Sequence, residues 1–238
     1  VFTTPLVIAT LMAATLGAVI GFLINHGAMR PVITGLRDEL ADAVWQLTHD
    51  PLTGLHNRTG LRAIHTANAA SAEPQHIVAM LIDLDLFKEV NDAHSHNAGD
   101  DLLKATADRI RELAELYGGH AARLSGDEFA AIMPLGRTRL AGMAEHFTDV
   151  IAEPVEVRAD NGPVTVTITA SLGVAIATST DLLDGVALHH ADMAMYHAKQ
   201  QGGNRHVLHQ PGMTMPSHRP RRGPRLRDRR RSQNGNGA

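Results

Sequence analysis

The stretch Arg123-Leu-Ser-Gly-Asp-Glu-Phe-Ala130 constrains the fold of this chain more than any other. A short run at residues 121–124 leads into Ser125-Gly126, and an apolar run at 129–133 leads out. Two such runs around a glycine-containing turn predict a β-hairpin, since glycine reaches the positive φ that tight turns use. The turn carries Asp127 and Glu128 side by side. Adjacent carboxylates repel and do not steady a hairpin, but they are usable oxygen ligands for a hard cation such as Mg2+. For these residues alone, a solvated acidic turn is the plain alternative.

A second acidic pair shifts the balance. Residues 77–86 form an apolar run that ends in Asp83-Leu84-Asp85. Period 2 places Asp83 and Asp85 on one face of a strand. If that strand lies beside the hairpin, Asp83 and Asp127 share a metal. Lys88, Asn91, Asp92, His96, Gly99 and Asp100 follow closely. A metal-ready acidic edge with a lysine nearby suits phosphoryl or nucleotidyl transfer.

These motifs together resemble the GGDEF-domain diguanylate cyclases. The residues that carry the resemblance are Asp50-Pro-Leu-Thr-Gly-Leu-His-Asn-Arg58, Asp83-Leu-Asp-Leu-Phe-Lys88, Asn91-Asp92, His96-Asn-Ala-Gly-Asp100, Ser125-Gly-Asp-Glu-Phe129, Ser171-Leu-Gly173 and Ala191-Asp192 through Lys199. Each motif alone is weak, but their order and spacing across residues 48–208 make the match specific.

Composition sets limits. The chain has 238 residues, enough for one core domain with appendages, and no cysteine, hence no disulfide framework or thiolate zinc site. Its fifteen histidines are scattered without an HExxH spacing, so they are read as ordinary polar positions. Eight Arg and one Asp give residues 211–238 a charge of +7; with −3 overall, the remainder carries −10. Such an acidic body argues against a specific nucleic-acid partner.

The chain divides into four parts: residues 1–25, 26–49, 50–208 and 209–238. Residues 5–24 are twenty positions without a charge, long enough for a transmembrane helix. The alternatives are a signal peptide, though no Lys or Arg precedes the run, and a buried core helix. The first cations, Arg30 and Arg37, follow it, which places the rest of the chain on the cytoplasmic side of an inner membrane. Ile33, Leu36, Leu40, Ala43 and Leu47 then repeat at 3-4 spacing, either a short coiled-coil seam or an amphipathic helix packed on its own domain. The Arg-rich tail has no periodicity and is expected to be disordered, touching anionic lipid or RNA or serving as a solubilising tail.

Between these ends the patterns alternate. Helices are expected at 55–70, 99–116, 137–151 and 183–200, with strands at 77–83, 164–176 and 205–208 besides the hairpin. Alanines 187, 191, 194 and 198 form a stripe that lets the last helix lie close on a sheet. The fold class is α+β, with a mostly antiparallel central sheet flanked by helices and preceded by a transmembrane helix. The resemblance implies the same sheet, like that of nucleotide cyclases and polymerase palm domains.

The resemblance also implies the chemistry. Two GTP molecules, one per subunit of a two-fold homodimer, condense to cyclic di-GMP with release of two pyrophosphates. Asp83, Asp127 and the Leu84 carbonyl would hold Mg2+ or Mn2+. Glu128 would bind a second metal or receive the proton, with Asp127, Glu128 and Lys88 the catalytic set. Asn91, His96 and Asp100 would surround guanine, Lys88 and Lys199 the triphosphate, and Gly126 the turn beside it. A catalytically inactive GTP-binding module that regulates a partner is the rival reading.

Three departures from the family pattern bear on activity. Ser125 replaces a usual glycine; if the turn needs positive φ there, serine costs about 1 kcal/mol and lowers activity. Gly203 replaces a usual arginine, which leaves Arg205 to reach around. Leu116 and Gly119 stand where many members carry an inhibitory Arg-x-x-Asp, so no product inhibition through that site is expected.

Overall fold

The computed structural model of the protein describes residues 3–70, 73–136 and 139–215, with only part of the side chains in the first 31 positions. Most of the tail expected to be disordered lies outside the described residues. A strand that is apolar on both faces belongs in the middle of a sheet. His76–Leu84 (β1) is such a strand, buried at every position after the first. It pairs antiparallel with Glu128–Pro134 (β3) on one side and Ala170–Thr178 (β6) on the other. His120–Ser125 (β2) pairs with β3, and Arg205–Leu208 (β7) extends the far edge, giving the order β2-β3-β1-β6-β7.

The sheet is mixed, which corrects the mostly antiparallel sheet expected. β7 runs parallel to β6, because the helix Leu188–Gln200 (α6) carries the chain back across the sheet before β7 begins. A second correction concerns the alternation at 164–176. It is not one strand: Gly162–Val166 (β5) pairs with Val155–Ala159 (β4) in a separate hairpin, and β6 starts only at Ala170. Thr-apolar alternation continues through residues 167–169, so periodicity alone does not reveal the corner.

Helices cover both faces. His96–Leu116 (α4) and Leu140–Ile151 (α5) enclose Met80, Ile82, Phe129 and Leu172 on one side. Arg58–Ala69 (α2) and α6 cover Ala79, Leu81, Ala130 and Ala175 on the other. The alanine stripe does what its spacing suggests: Ala191, Ala194 and Ala198 are fully buried, and a Cβ on Gly173 of β6 would collide with the Ala191 carbonyl. A π-helical turn, Leu183–Ala187, precedes α6. Phe87–His94 (α3), not anticipated from periodicity, is a short helix between β1 and α4.

Residues at the N-terminus form one continuous helix, Thr3–Thr48 (α1). Among the described residues no helix is long and apolar enough to cross a membrane, so the transmembrane helix expected at residues 5–24 is not supported. Several side chains of that run lie outside the described residues. Ile33, Leu36, Leu40 and Leu47 are exposed on α1, not packed on their own domain. Asn57 joins α1 to the domain. Its amide donates to the Leu47 and His49 carbonyls at 3.0 and 3.2 Å, while its Oδ1 accepts from the Thr59 and Gly60 amides at the start of α2.

Candidate active site

Strand pairing creates the acidic edge. Antiparallel register sets Asp83, near the end of β1, opposite Glu128 at the start of β3, with Asp127 in the turn between β2 and β3. The Leu84 amide donates to the Asp127 carbonyl at 3.2 Å, which ties the β1 end to the turn. Asp83 is only 6% exposed. Its charge is met by Lys199, at the end of α6, with Nζ 2.7 Å from Oδ2. Burial pushes the Asp83 carboxyl up from its ordinary value; Lys199 opposes that push, and Asp127 and Glu128 reinforce it.

The edge opens onto a cleft of about 680 Å3 lined by Asp83, Asp127, Lys88, Lys199, Glu89 and Gly203 among others. α3 begins in this cleft with no side-chain cap on its first turn, so its N-terminal amides and dipole favour an anion there. Yet four carboxylates, Asp83, Asp85, Glu89 and Asp127, line it against two lysines. A polyphosphate enters such a cleft only with added cations. Among the described residues no three Asp, Glu or His side chains converge on one metal position. Oxygen donors from two carboxylates and a carbonyl, completed by phosphate oxygens, are nevertheless what Mg2+ accepts, so the donor set fits that ion.

Several expected residues stand apart. Asn91 lies on α3 and packs so closely on α4 that a Cβ on Gly99 would collide with its amide oxygen. His96, the first residue of α4, and Asp100, one turn further on, are exposed. None of the three lines the cleft; they form a corner beside it. Lys88 lines the cleft but is exposed and paired with Asp92 of its own helix at 3.4 Å.

The turn corrects one expectation about Ser125. Positive φ falls on Gly126, at +49°, and not on Ser125. Serine therefore carries no left-handed strain, and its hydroxyl donates to Glu128 Oε2 at 3.1 Å. Arg205 does not reach around for the missing arginine: its guanidinium is held by the Gly203 carbonyl and Gln201 Oε1, at 3.0 and 3.5 Å. At Gly119 a Cβ would collide with the Ile132 carbonyl, so this backbone has no room there for the aspartate of an Arg-x-x-Asp site.

Sequence reasoning gave Arg123 no role. In the structure its Nη1 donates to Asp50 Oδ1 at 3.0 Å and its Nε to the Gly126 carbonyl at 2.9 Å, linking the entry of the domain to the acidic turn. Burial works to raise Asp50, but bonds from Thr53 and Arg123 outweigh it and hold the carboxyl below its ordinary value. An arginine two residues before the turn was the available signal, but its partner lies 73 positions upstream.

A family model described as "Diguanylate cyclase, GGDEF domain" matches residues 47–205. The chain belongs to the GGDEF family. Among curated GGDEF relatives, it is 39% identical over 173 residues to the diguanylate cyclase TpbB of Pseudomonas aeruginosa, which covers 70% of this chain and 38% of TpbB. It is 34% identical over 168 residues to the bifunctional diguanylate cyclase/cyclic di-GMP phosphodiesterase MucR of the same species, covering 69% and 24%. The chain thus spans well under half the length of these relatives. Among solved structures, the coiled coil and GGDEF domain of DgcB from Caulobacter crescentus, in complex with c-di-GMP, superposes with a TM-score of 0.65 at 28% identity, covering 76% of this chain and 96% of that one.

Proposed function

We propose that the chain is a diguanylate cyclase that condenses two GTP into cyclic di-GMP and two pyrophosphates. The observation that carries this reading is the buried Asp83, beside Asp127 and Glu128 and paired with Lys199, in the wall of an acidic cleft at the end of the sheet. Asp83, Asp127 and the Leu84 carbonyl would hold Mg2+ or Mn2+. When bound, the metal neutralises phosphate charge and lowers the pKa of the attacking 3′-hydroxyl. Lys88, Lys199 and the first amides of α3 take the triphosphate. Asn91 and Asp100 read the guanine edge, the amide supplying donor and acceptor and the carboxylate accepting from N–H, with His96 beside them. Gly126 keeps the turn open, since nothing lies within 4 Å of where its Cβ would stand. Glu128, steadied by Ser125, takes the proton or a second metal.

One GTP per subunit requires two domains face to face in a homodimer. The exposed row Ile33, Leu36, Leu40 and Leu47 on α1 supports pairing through that helix.

Incubation of the chain with GTP and Mg2+, followed by chromatography, tests the reading. Cyclic di-GMP that disappears with Asp127→Ala is the expected result. A GTP-binding regulatory module is the second reading, favoured by Gly203 and by the bond that holds Arg205 to the Gly203 carbonyl, which leave Lys88 and Lys199 as the cations lining the cleft. GTP binding without product selects it.

A further inference from the structure

Asp83 and Asp85 sit two positions apart at one strand end, and their spacing suggests a pair of metal ligands. The structure divides their work. Asp83 faces Lys199. Asp85 is fully engaged elsewhere: Oδ1 accepts from Ser171 Oγ at 2.7 Å, and Oδ2 accepts from Thr169 Oγ1 and from the Asn204 amide, both at 2.8 Å. Its own amide donates to the Thr169 carbonyl at 2.8 Å. A carboxylate that already receives three donors has little left to offer a cation.

The Asn204 bond decides what this cluster is for. Ser171 lies in β6, already paired to β1, and Thr169 immediately precedes that strand. Asn204 belongs to the turn that follows α6. That turn holds three consecutive residues at positive φ: Gly202 at +105°, Gly203 at +73° and Asn204 at +47°. A free chain rarely keeps such a conformation. Gly202 and Gly203 donate back to the Lys199 and Ala198 carbonyls, each at 3.1 Å. One side of the turn is therefore bonded to Asp85 and the other to the backbone of Lys199. A Cβ at Gly203 would stand 2.9–3.0 Å from the Asp85 carboxyl atoms. Glycine at this position lets the carboxylate abut the turn.

The geometry points to Asp85 as a positioning residue that clamps the 202–204 turn to the start of β6 and so sets the last turn of α6 with the Lys199 ammonium over Asp83. This inference rests on the reading of the cleft as a GTP site. Asp85 acts on the nucleotide only through Lys199, and the clamp depends on hydrogen-bond shape rather than on charge. An asparagine preserves that shape: its oxygen accepts from Asn204 and Thr169, and its amide donates to Ser171 Oγ.

Calorimetric binding of a non-reacting α,β-methylene GTP analogue with Mg2+ tests it on the full chain, comparing wild type, Asp85→Ala, Asp85→Asn, Lys199→Ala and Asp85→Ala with Lys199→Ala. Asp85→Ala is expected to weaken binding about tenfold, and Asp85→Asn less than about twofold. In the Lys199→Ala background, Asp85→Ala should cost less than about twofold, because residues acting through one another are not additive. Asp85→Asn as weak as Asp85→Ala would make the charge the active feature and overturn the clamp. Equal losses in both backgrounds would overturn the route through Lys199. If wild type bound no nucleotide, the GTP reading would fail, and hydrogen exchange at the Asn204 amide would decide the clamp separately. Slow exchange in wild type and Asp85→Asn with fast exchange in Asp85→Ala supports it; equal exchange in all three rejects it.

Discussion

The acidic edge and the α3–α4 corner serve one proposed ligand but are built differently. The edge hangs on strand ends: Asp83 is buried, paired with Lys199 at 2.7 Å, and set opposite Glu128 by sheet register. The corner hangs on two helix ends, and His96 and Asp100 point from it into solvent without lining the cleft. Sheet register fixes a side chain to within a fraction of a residue spacing before any ligand arrives. Exposed groups on a helix start have several rotamers to choose from and become ordered only against a partner. The difference teaches where each kind of loss should fall. Damage to the edge should remove chemistry, and damage to the corner should remove affinity.

Five measurements break or sharpen that contrast. Asp127→Ala should lower cyclic di-GMP formation by about three orders of magnitude or more, read by chromatography of single turnovers. A rate near wild type would refute the metal assignment. Asn91→Ala and Asp100→Ala should raise KM for GTP about tenfold while kcat stays within about threefold, since an unpaired guanine edge weakens ground and transition states alike. An equal fall in kcat would mean that the corner belongs to the rigid edge.

Arg123→Ala should cost about 1–3 kcal/mol in urea unfolding, because it leaves the half-buried Asp50 with Thr53 as its remaining donor and frees the Gly126 carbonyl. The same pair sets a pH dependence. Asp50 titrates lower in the folded chain than its ordinary 3.8. The unfolded state then binds more protons in that window, so this contribution is present above 3.8 and is lost as pH falls through the folded value. Asp50→Asn should flatten this part of the acid limb; an unchanged slope would show that the Arg123 bond carries no charge stabilisation. The smallest effect is expected from Ser125→Gly. With no strained φ to relieve and one exposed hydrogen bond to lose, kcat should change less than about threefold. A large gain would return serine to the role of a lesion.

Periodicity and motif spacing carried most of the architecture. The burial of residues 77–82 on both faces follows from their unbroken apolar run, and the hairpin at 120–134 follows from Gly126 between two apolar segments. The close approach of α6 follows from its alanines. Three features were not legible, for related reasons. α3 was missed because eight residues are too few to show a helical period. The corner between β5 and β6 was missed because the Thr-apolar alternation runs straight through it. The parallel β7 edge depends on how α6 crosses the sheet, which no local pattern records.

Asp83, Asp85, Asp127, Glu128 and Lys88 could be singled out by chemistry alone, because clustered carboxylates with a lysine nearby suit a hard cation and a phosphate, whereas Lys199 came only from the family resemblance. Their roles required the fold. Two aspartates one residue apart look equivalent in a strand, yet one faces a lysine and the other binds three donors from β6 and a distant turn. Ser125 looked strained until the turn placed positive φ on Gly126. Sequence by itself determined the inventory of groups and the strands that carry them, since both are set by local composition. Only the tertiary structure decided which groups meet, because each deciding contact joins segments far apart in the chain: Arg123 to Asp50, Asp85 to Asn204, and Lys199 to Asp83.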